Sequence, residues 1–138
     1  MAYDPSNIFA RIVRGEIPCH KVFEDDDTIA FMDIMPQADG HTLIVPKAQG
    51  GNIFELPEEA LVAAIRTTRR VARAVQDAFD PPGIMIAQLN GAPAGQSVFH
   101  LHFHVVPRYT GKDFRMAAGE MADPGLLAEH AARIRAHL

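Results

Sequence analysis

Tryptophan is absent from this chain, and cysteine occurs once, as Cys19. A lone thiol permits no internal disulfide. It rules out a disulfide-stapled scaffold and fits a reducing, cytoplasmic setting. No apolar run approaches the roughly twenty residues needed to cross a bilayer, so no membrane association is expected. Residues 1–7 show no basic start followed by an apolar stretch, and no signal peptide is expected. Excess positive charge is also lacking: 13 Lys and Arg stand against 17 Asp and Glu, for a formal net charge of −4. That balance argues against nucleic acid as a partner, because such binding is driven by phosphate neutralisation. It leaves room for a small anion held by a local site. Repeats, low-complexity segments and linkers are missing as well. The 138 residues, 48% of them hydrophobic, suffice for one domain with a real core.

What the chain does have is three histidines at alternate positions in Gly95-Gln96-Ser97-Val98-Phe99-His100-Leu101-His102-Phe103-His104-Val105-Val106-Pro107. As a strand, this stretch puts His100, His102 and His104 on one face and Leu101, Phe103 and Val105 on the other, with successive imidazoles about 7 Å apart. Three uses are open. The face could simply be polar and solvated, although Lys, Thr and Glu fill such faces more often. His-x-His could supply two ligands to a metal. Or one histidine could act as nucleophile or acid–base group, tuned by its neighbours. The lead-in Asn90-Gly91-Ala92-Pro93-Ala94-Gly95 favours the last use. Small residues let backbone N–H groups approach an anion, and Gln96 and Ser97 add side-chain donors.

His100-Leu101-His102-Phe103-His104-Val105-Val106 resembles the His-x-His-x-His-apolar-apolar motif of the histidine triad (HIT) family. Gln96-Ser97-Val98-Phe99 is similar to the Hint branch of its nucleotide-binding hydrolases. The similarity extends over Asn7 to Pro46 and so covers most of the chain. The resemblance implies an α+β, HIT-like fold: about five antiparallel strands, one long helix and short terminal helices. A single HIT domain over residues 1–138 is expected, with its core at about 7–110 and a helical tail at about 111–138. The resemblance also implies a hydrolase or nucleotidyl transferase acting at the α-phosphate of purine nucleoside phosphoramidates. His102 would be the nucleophile, His100 and His41 would order it, and His104, Gln96 and Ser97 would stabilise phosphate charge. Asp33 and Ile34 would hold the ribose, and Phe9, Ile12, Ile17 and Leu43 would enclose the base. Asn90 and Gly95 would contact ribose or phosphate. A purine nucleotide derivative, of AMP or GMP, is the expected ligand, and a homodimer the expected assembly. No cofactor is expected. Two other readings remain: a dinucleoside polyphosphate hydrolase of the Fhit type, and a nucleotide-binding module without catalysis.

The chain departs from the family pattern in three places. Some members carry Cys-x-x-Cys near the first helix, where Ser6–Arg11 has no cysteine. Members also often carry a histidine three residues past Pro46, where this chain has Gln49. Those groups help to bind a structural zinc, so none is expected here. The animal members also place a tryptophan near the site, which this chain lacks.

Spacing fills in the rest. Asp4-Pro5-Ser6-Asn7 reads as a cap before a short helix with Ile8, Phe9, Ile12 and Val13, ending at Gly15. Lys21–Glu24 and Thr28–Ile34 read as a hairpin around Asp25-Asp26-Asp27, a turn or a weak cation site. Gly40–Lys47 and Ile84–Leu89 read as further strands. A long helix opens at Pro57 and buries a stripe of Leu61, Ile65, Thr68, Ala72, Val75 and Phe79, and Pro81-Pro82-Gly83 stops it. The arginines Arg66, Arg69, Arg70 and Arg73 read as a solvated face. Arg108–Asp113 is a polar exit. Asp123-Pro124 starts a last helix with Leu126, Leu127, Ala131 and Ile134 inside and with His130 and His137 solvated.

Overall fold

In the computed structural model, which describes residues 2–111 and 120–138, eight regular elements build one sheet with helices on both faces. Asn7 caps α1 (Ile8–Val13) by accepting the Ala10 N–H, and Gly15 follows it at φ 78°. β1 (Lys21–Glu24) and β2 (Thr28–Met32) form the expected hairpin. Its turn is closed by Asp25, whose Oδ1 accepts from the backbone of Asp27 and from the backbone and hydroxyl of Thr28. That carboxylate is committed to the turn, which favours the turn reading over a cation site. β3 (Thr42–Pro46), α2 (Glu58–Phe79), β4 (Gly83–Ala87), β5 (Phe103–Arg108) and α3 (Pro124–Arg135) follow. Lys112 and Asp113 of the expected polar exit lie outside the described residues.

The strand order is β1-β2-β3-β5-β4, every neighbour antiparallel, so the α+β architecture with five strands and one long helix is the one found. β2 and β3 are buried on both sides. Ala30, Met32 and Ile44 point to a core shared with α2 and α3. Ile29, Phe31, Leu43 and Val45 point the other way, to a smaller core under α1. The register pairs Leu43 with His104 and Ile44 with Phe103. The site therefore lies on the α1 side of the sheet, with the long helix behind it.

Three expectations need correction. The buried stripe of α2 is Ala64, Thr67, Thr68, Val71, Ala74 and Val75, whereas Ile65 is 46% exposed. Small side chains let the helix lie close to the sheet, and Thr67 reaches the Thr28 hydroxyl at 2.8 Å. His130 is buried rather than solvated, with its ring set edge-on to Phe79 at a centroid distance of 5.0 Å. The histidine-bearing strand is shorter than Gly95–Pro107 and begins only at Phe103.

Candidate active site

Gly95 sits at φ 105°, a left-handed conformation that ends the single 3-10 turn Ala92–Ala94. Beyond it the chain stays irregular until Phe103, held by Gln96. The Gln96 side chain is 3% exposed and engaged at both ends. Its Oε1 accepts the Gly91 N–H, and its Nε2 donates to the carbonyls of Gly51 and Val98. Gln96 is thus a brace inside the loop, not a free phosphate donor. The loop's amides are committed in the same way: Ala94, Gly95 and Gln96 N–H groups all donate to carbonyls at Gly91 or Ala92. Asn90 is turned inward too, accepting from the Ile53 N–H and exchanging bonds with Gln88. Neither Asn90 nor Gln96 lines the cavity in front of the histidines.

That cavity, of about 290 Å³, is lined by ten of the residues expected at the site: Phe9, Ile12, Ile17, Asp33, Ile34, Leu43, Gly95, Ser97, His102 and His104. Sequence reasoning missed Ile8, Pro18, Cys19, His20, Leu89 and Val98, which join the same wall. Phe9 meets His102 edge-on at 4.8 Å and Phe31 at 5.6 Å, so α1 forms one side of the cavity. The Cys19 thiol is half-buried and pushed up by that burial, which makes it a wall and not a nucleophile.

Hydrogen bonds assign the proton on His41, His100, His102 and His104, because a carbonyl only accepts and a backbone N–H only donates. His102 Nδ1 lies 2.7 Å from the His100 carbonyl, so Nδ1 carries the hydrogen. Nε2 then holds the lone pair, and burial pushes the ring down to about 4, keeping it neutral. The Gln37 N–H donates to His41 Nδ1 at 3.0 Å, so the His41 hydrogen is on Nε2. That Nε2 faces His104 Nδ1 at 3.0 Å and donates to it. His104 therefore carries its hydrogen on Nε2, and burial lowers its pKa. The rings of His102 and His104 are 4.9 Å apart, closer than the spacing of a regular strand. His102 thus offers the cavity a lone pair and His104 offers it an N–H.

His41 and His100 stand behind this pair and are fully buried. His100 donates from Nε2 to the Pro46 carbonyl at 2.7 Å and accepts at Nδ1 from the Tyr3 hydroxyl at 2.6 Å. Tyr3 left no signal in the sequence, since it lies 97 positions from its partner. Asp33 Oδ1 accepts the Met35 N–H and so caps the turn after β2. Its Oδ2 lies 3.6 Å from His41 Nε2. Burial pushes the Asp33 carboxyl up to about 6, against the lowering effect of the Met35 bond.

Asp33, His41 and His104 offer ligand atoms within 4.8 Å of one another, the geometry of a candidate cation site. The protons do not fit. His41 Nδ1 already accepts an N–H, so a metal on Nε2 would require an imidazolate. These groups suit a proton-bearing network and not a metal.

Sheet, braced loop and imidazole pair define an α+β protein with a neutral histidine at the floor of an apolar ligand cavity. The family model described as HIT domain matches residues 14–111, and the chain belongs to the HIT family. It is 43% identical over 102 residues to Protein hit of Bacillus subtilis, covering 74% of this chain and 70% of that one. It is 39% identical over 106 residues to adenosine 5'-monophosphoramidase HNT1 of Saccharomyces cerevisiae, covering 76% of this chain and 64% of that one. A crystal structure of a Hit-like protein from Bartonella henselae, described as involved in cell-cycle regulation, superposes with a TM-score of 0.95. It is 46% identical, with both chains covered completely.

Proposed function

We propose that the protein hydrolyses purine nucleoside phosphoramidates at the α-phosphate through a covalent nucleotidyl intermediate on His102. One observation carries the reading: His102 is neutral, donates through Nδ1 to the His100 carbonyl, and keeps its Nε2 lone pair at the cavity. The phosphoramidase activity named for the yeast relative supports the same substrate class.

In the first step Nε2 attacks phosphorus and the phosphorus–nitrogen bond breaks. The departing amine takes a proton relayed from water through the exposed Ser97 hydroxyl. His104 Nε2–H donates to a non-bridging oxygen as negative charge builds there, a preorganised donor of the kind worth about 3 kcal/mol. In the second step water attacks the adduct, its proton leaves to solvent, and AMP or GMP is released with His102 neutral again. Dividing one displacement into two lowers each barrier. Asp33 accepts the ribose hydroxyls beside Ile34. The apolar wall of Phe9, Ile12, Ile17 and Leu43 takes the base.

The test is turnover of an adenosine phosphoramidate beside a diadenosine polyphosphate, each with and without EDTA. Faster release of AMP from the phosphoramidate, insensitive to EDTA, is expected. Preference for the polyphosphate would favour the Fhit-like reading. Binding without any turnover would favour a non-catalytic module.

The proposal includes a homodimer. β4 is an edge strand, its outer backbone unpaired within the sheet, and Ile86 on it is 43% exposed. Pairing two β4 strands about a two-fold axis would join the sheets and cover that edge.

A further inference from the structure

Tyr3 lies ahead of α1 and outside residues 14–111, the span matched by the family model, yet it touches a triad histidine. Its ring meets His100 at a centroid distance of 5.7 Å and an interplanar angle of 60°. Packing alone would ask no more than that. The hydroxyl does more, since it sits 2.6 Å from His100 Nδ1. The other nitrogen of that ring is committed to Pro46 at the end of β3, so Nδ1 can only accept and the phenol must donate. His100 is 1% exposed, and the phenol is the partner its Nδ1 has in the fold. Without the hydroxyl, Nδ1 would be a buried acceptor with no partner. Such a ring responds by turning over, changing tautomer or taking a proton. Each response disturbs the residue whose carbonyl receives His102 Nδ1–H at 2.7 Å.

We infer that Tyr3 is a positioning residue. Together with the Pro46 carbonyl, its hydroxyl holds the His100 ring in one tautomer and orientation, and so holds in place the His100 carbonyl that receives His102 Nδ1–H. The consequence for turnover rests on the function proposed above; the consequence for the protons does not. A chain of two bonds runs from the segment before α1 to the proposed nucleophile. That segment therefore holds the acceptor of His102 Nδ1–H in place without touching substrate.

The experiment compares wild type with Tyr3→Phe, which removes only the hydroxyl and keeps the ring contact. Histidine side chains labelled with nitrogen-15 report tautomers by NMR. Wild type should show His100 protonated at Nε2 and His102 at Nδ1. Tyr3→Phe should lose the single tautomer at His100 and lower the Nδ1–H population of His102. Its kcat should fall about three- to tenfold, the scale of one hydrogen bond, with KM and AMP affinity unchanged. Unchanged histidine spectra in Tyr3→Phe overturn the inference whatever the turnover. If the variant folds poorly, a through-bond correlation between the Tyr3 hydroxyl proton and His100 Nδ1 in wild type decides, and a His100 Nδ1–H signal there overturns it. Wild type without turnover would contradict the proposed reaction alone and leave the spectra to decide this inference.

Discussion

At Asp33 a carboxyl is held at about 6, well above the usual carboxylate range, because burial outweighs its single bond from the Met35 N–H. The folded value lies above the unfolded one, so the folded state takes up a proton between about pH 4 and pH 6. The stability Asp33 contributes is present in full below about pH 4 and is lost as pH rises through 6. His102 has the opposite sign. Its folded value, about 4, lies below the unfolded one, so its contribution is present at neutral pH and is lost as pH falls towards 4. Asp33→Asn keeps the acceptor for Met35 and removes the charge. It should be more stable than wild type at pH 7, by roughly 1–3 kcal/mol, and the difference should close below about pH 4 in urea titrations. The same variant should bind AMP about tenfold more weakly by calorimetry, because the carboxylate proposed to receive the ribose hydroxyls becomes an amide. His41 shows why such residue-level facts were only partly legible in the sequence. Its place in the network was implied by resemblance. Its proton was not, because that depends on a backbone N–H at Gln37 which turns inward only in the folded chain.

Among the elements, the braced loop before β5 brings Gly95, Ser97, Val98 and His102 to the cavity. A strict alternation of histidine and apolar residues reads as a continuous strand, and the alternation does place the histidines apart from Leu101 and Phe103. The strand itself starts late because Gln96 competes for the backbone around it, donating to Gly51 and Val98. No local pattern reveals that competition, since Gly51 lies 45 positions away. Gln96→Leu fills a similar volume and leaves the Gly91 N–H and two carbonyls unpaired. It should cost about 2–4 kcal/mol in chemical denaturation, the scale of several buried unsatisfied groups. Turnover should also fall, because Gly95 and Ser97 flank the brace and line the cavity. The long helix teaches the same lesson differently. Its period was legible, but its buried face was shifted, because close packing on the sheet selects Ala64, Thr68 and Ala74 over the larger Ile65.

For the whole molecule, the sheet separates two tasks. One face carries α2 and α3 and most of the core, while the other carries α1, the cavity and the histidines. The apolar runs of β2 and β3 demand cover on both faces, and the helices supply it. Interactions joining distant ends were not legible: Tyr3 with His100, or His130 with Phe79. The edge at β4 is the whole-molecule feature with a consequence in solution. Ile86→Lys should convert a dimer to a monomer in light scattering while leaving the fold intact, since Ile86 is exposed within one chain. A monomeric wild type would contradict the proposed assembly.

The central claim is a nucleotidyl bond to His102, and the most direct measurement is intact mass after acid-free quenching of a reaction with adenosine phosphoramidate. Wild type should gain the mass of one AMP, and mild acid should remove it. His102→Ala should show neither adduct nor turnover, while binding AMP within about tenfold of wild type. Turnover near the wild-type rate in His102→Ala, or an adduct that maps to another residue, would contradict the account.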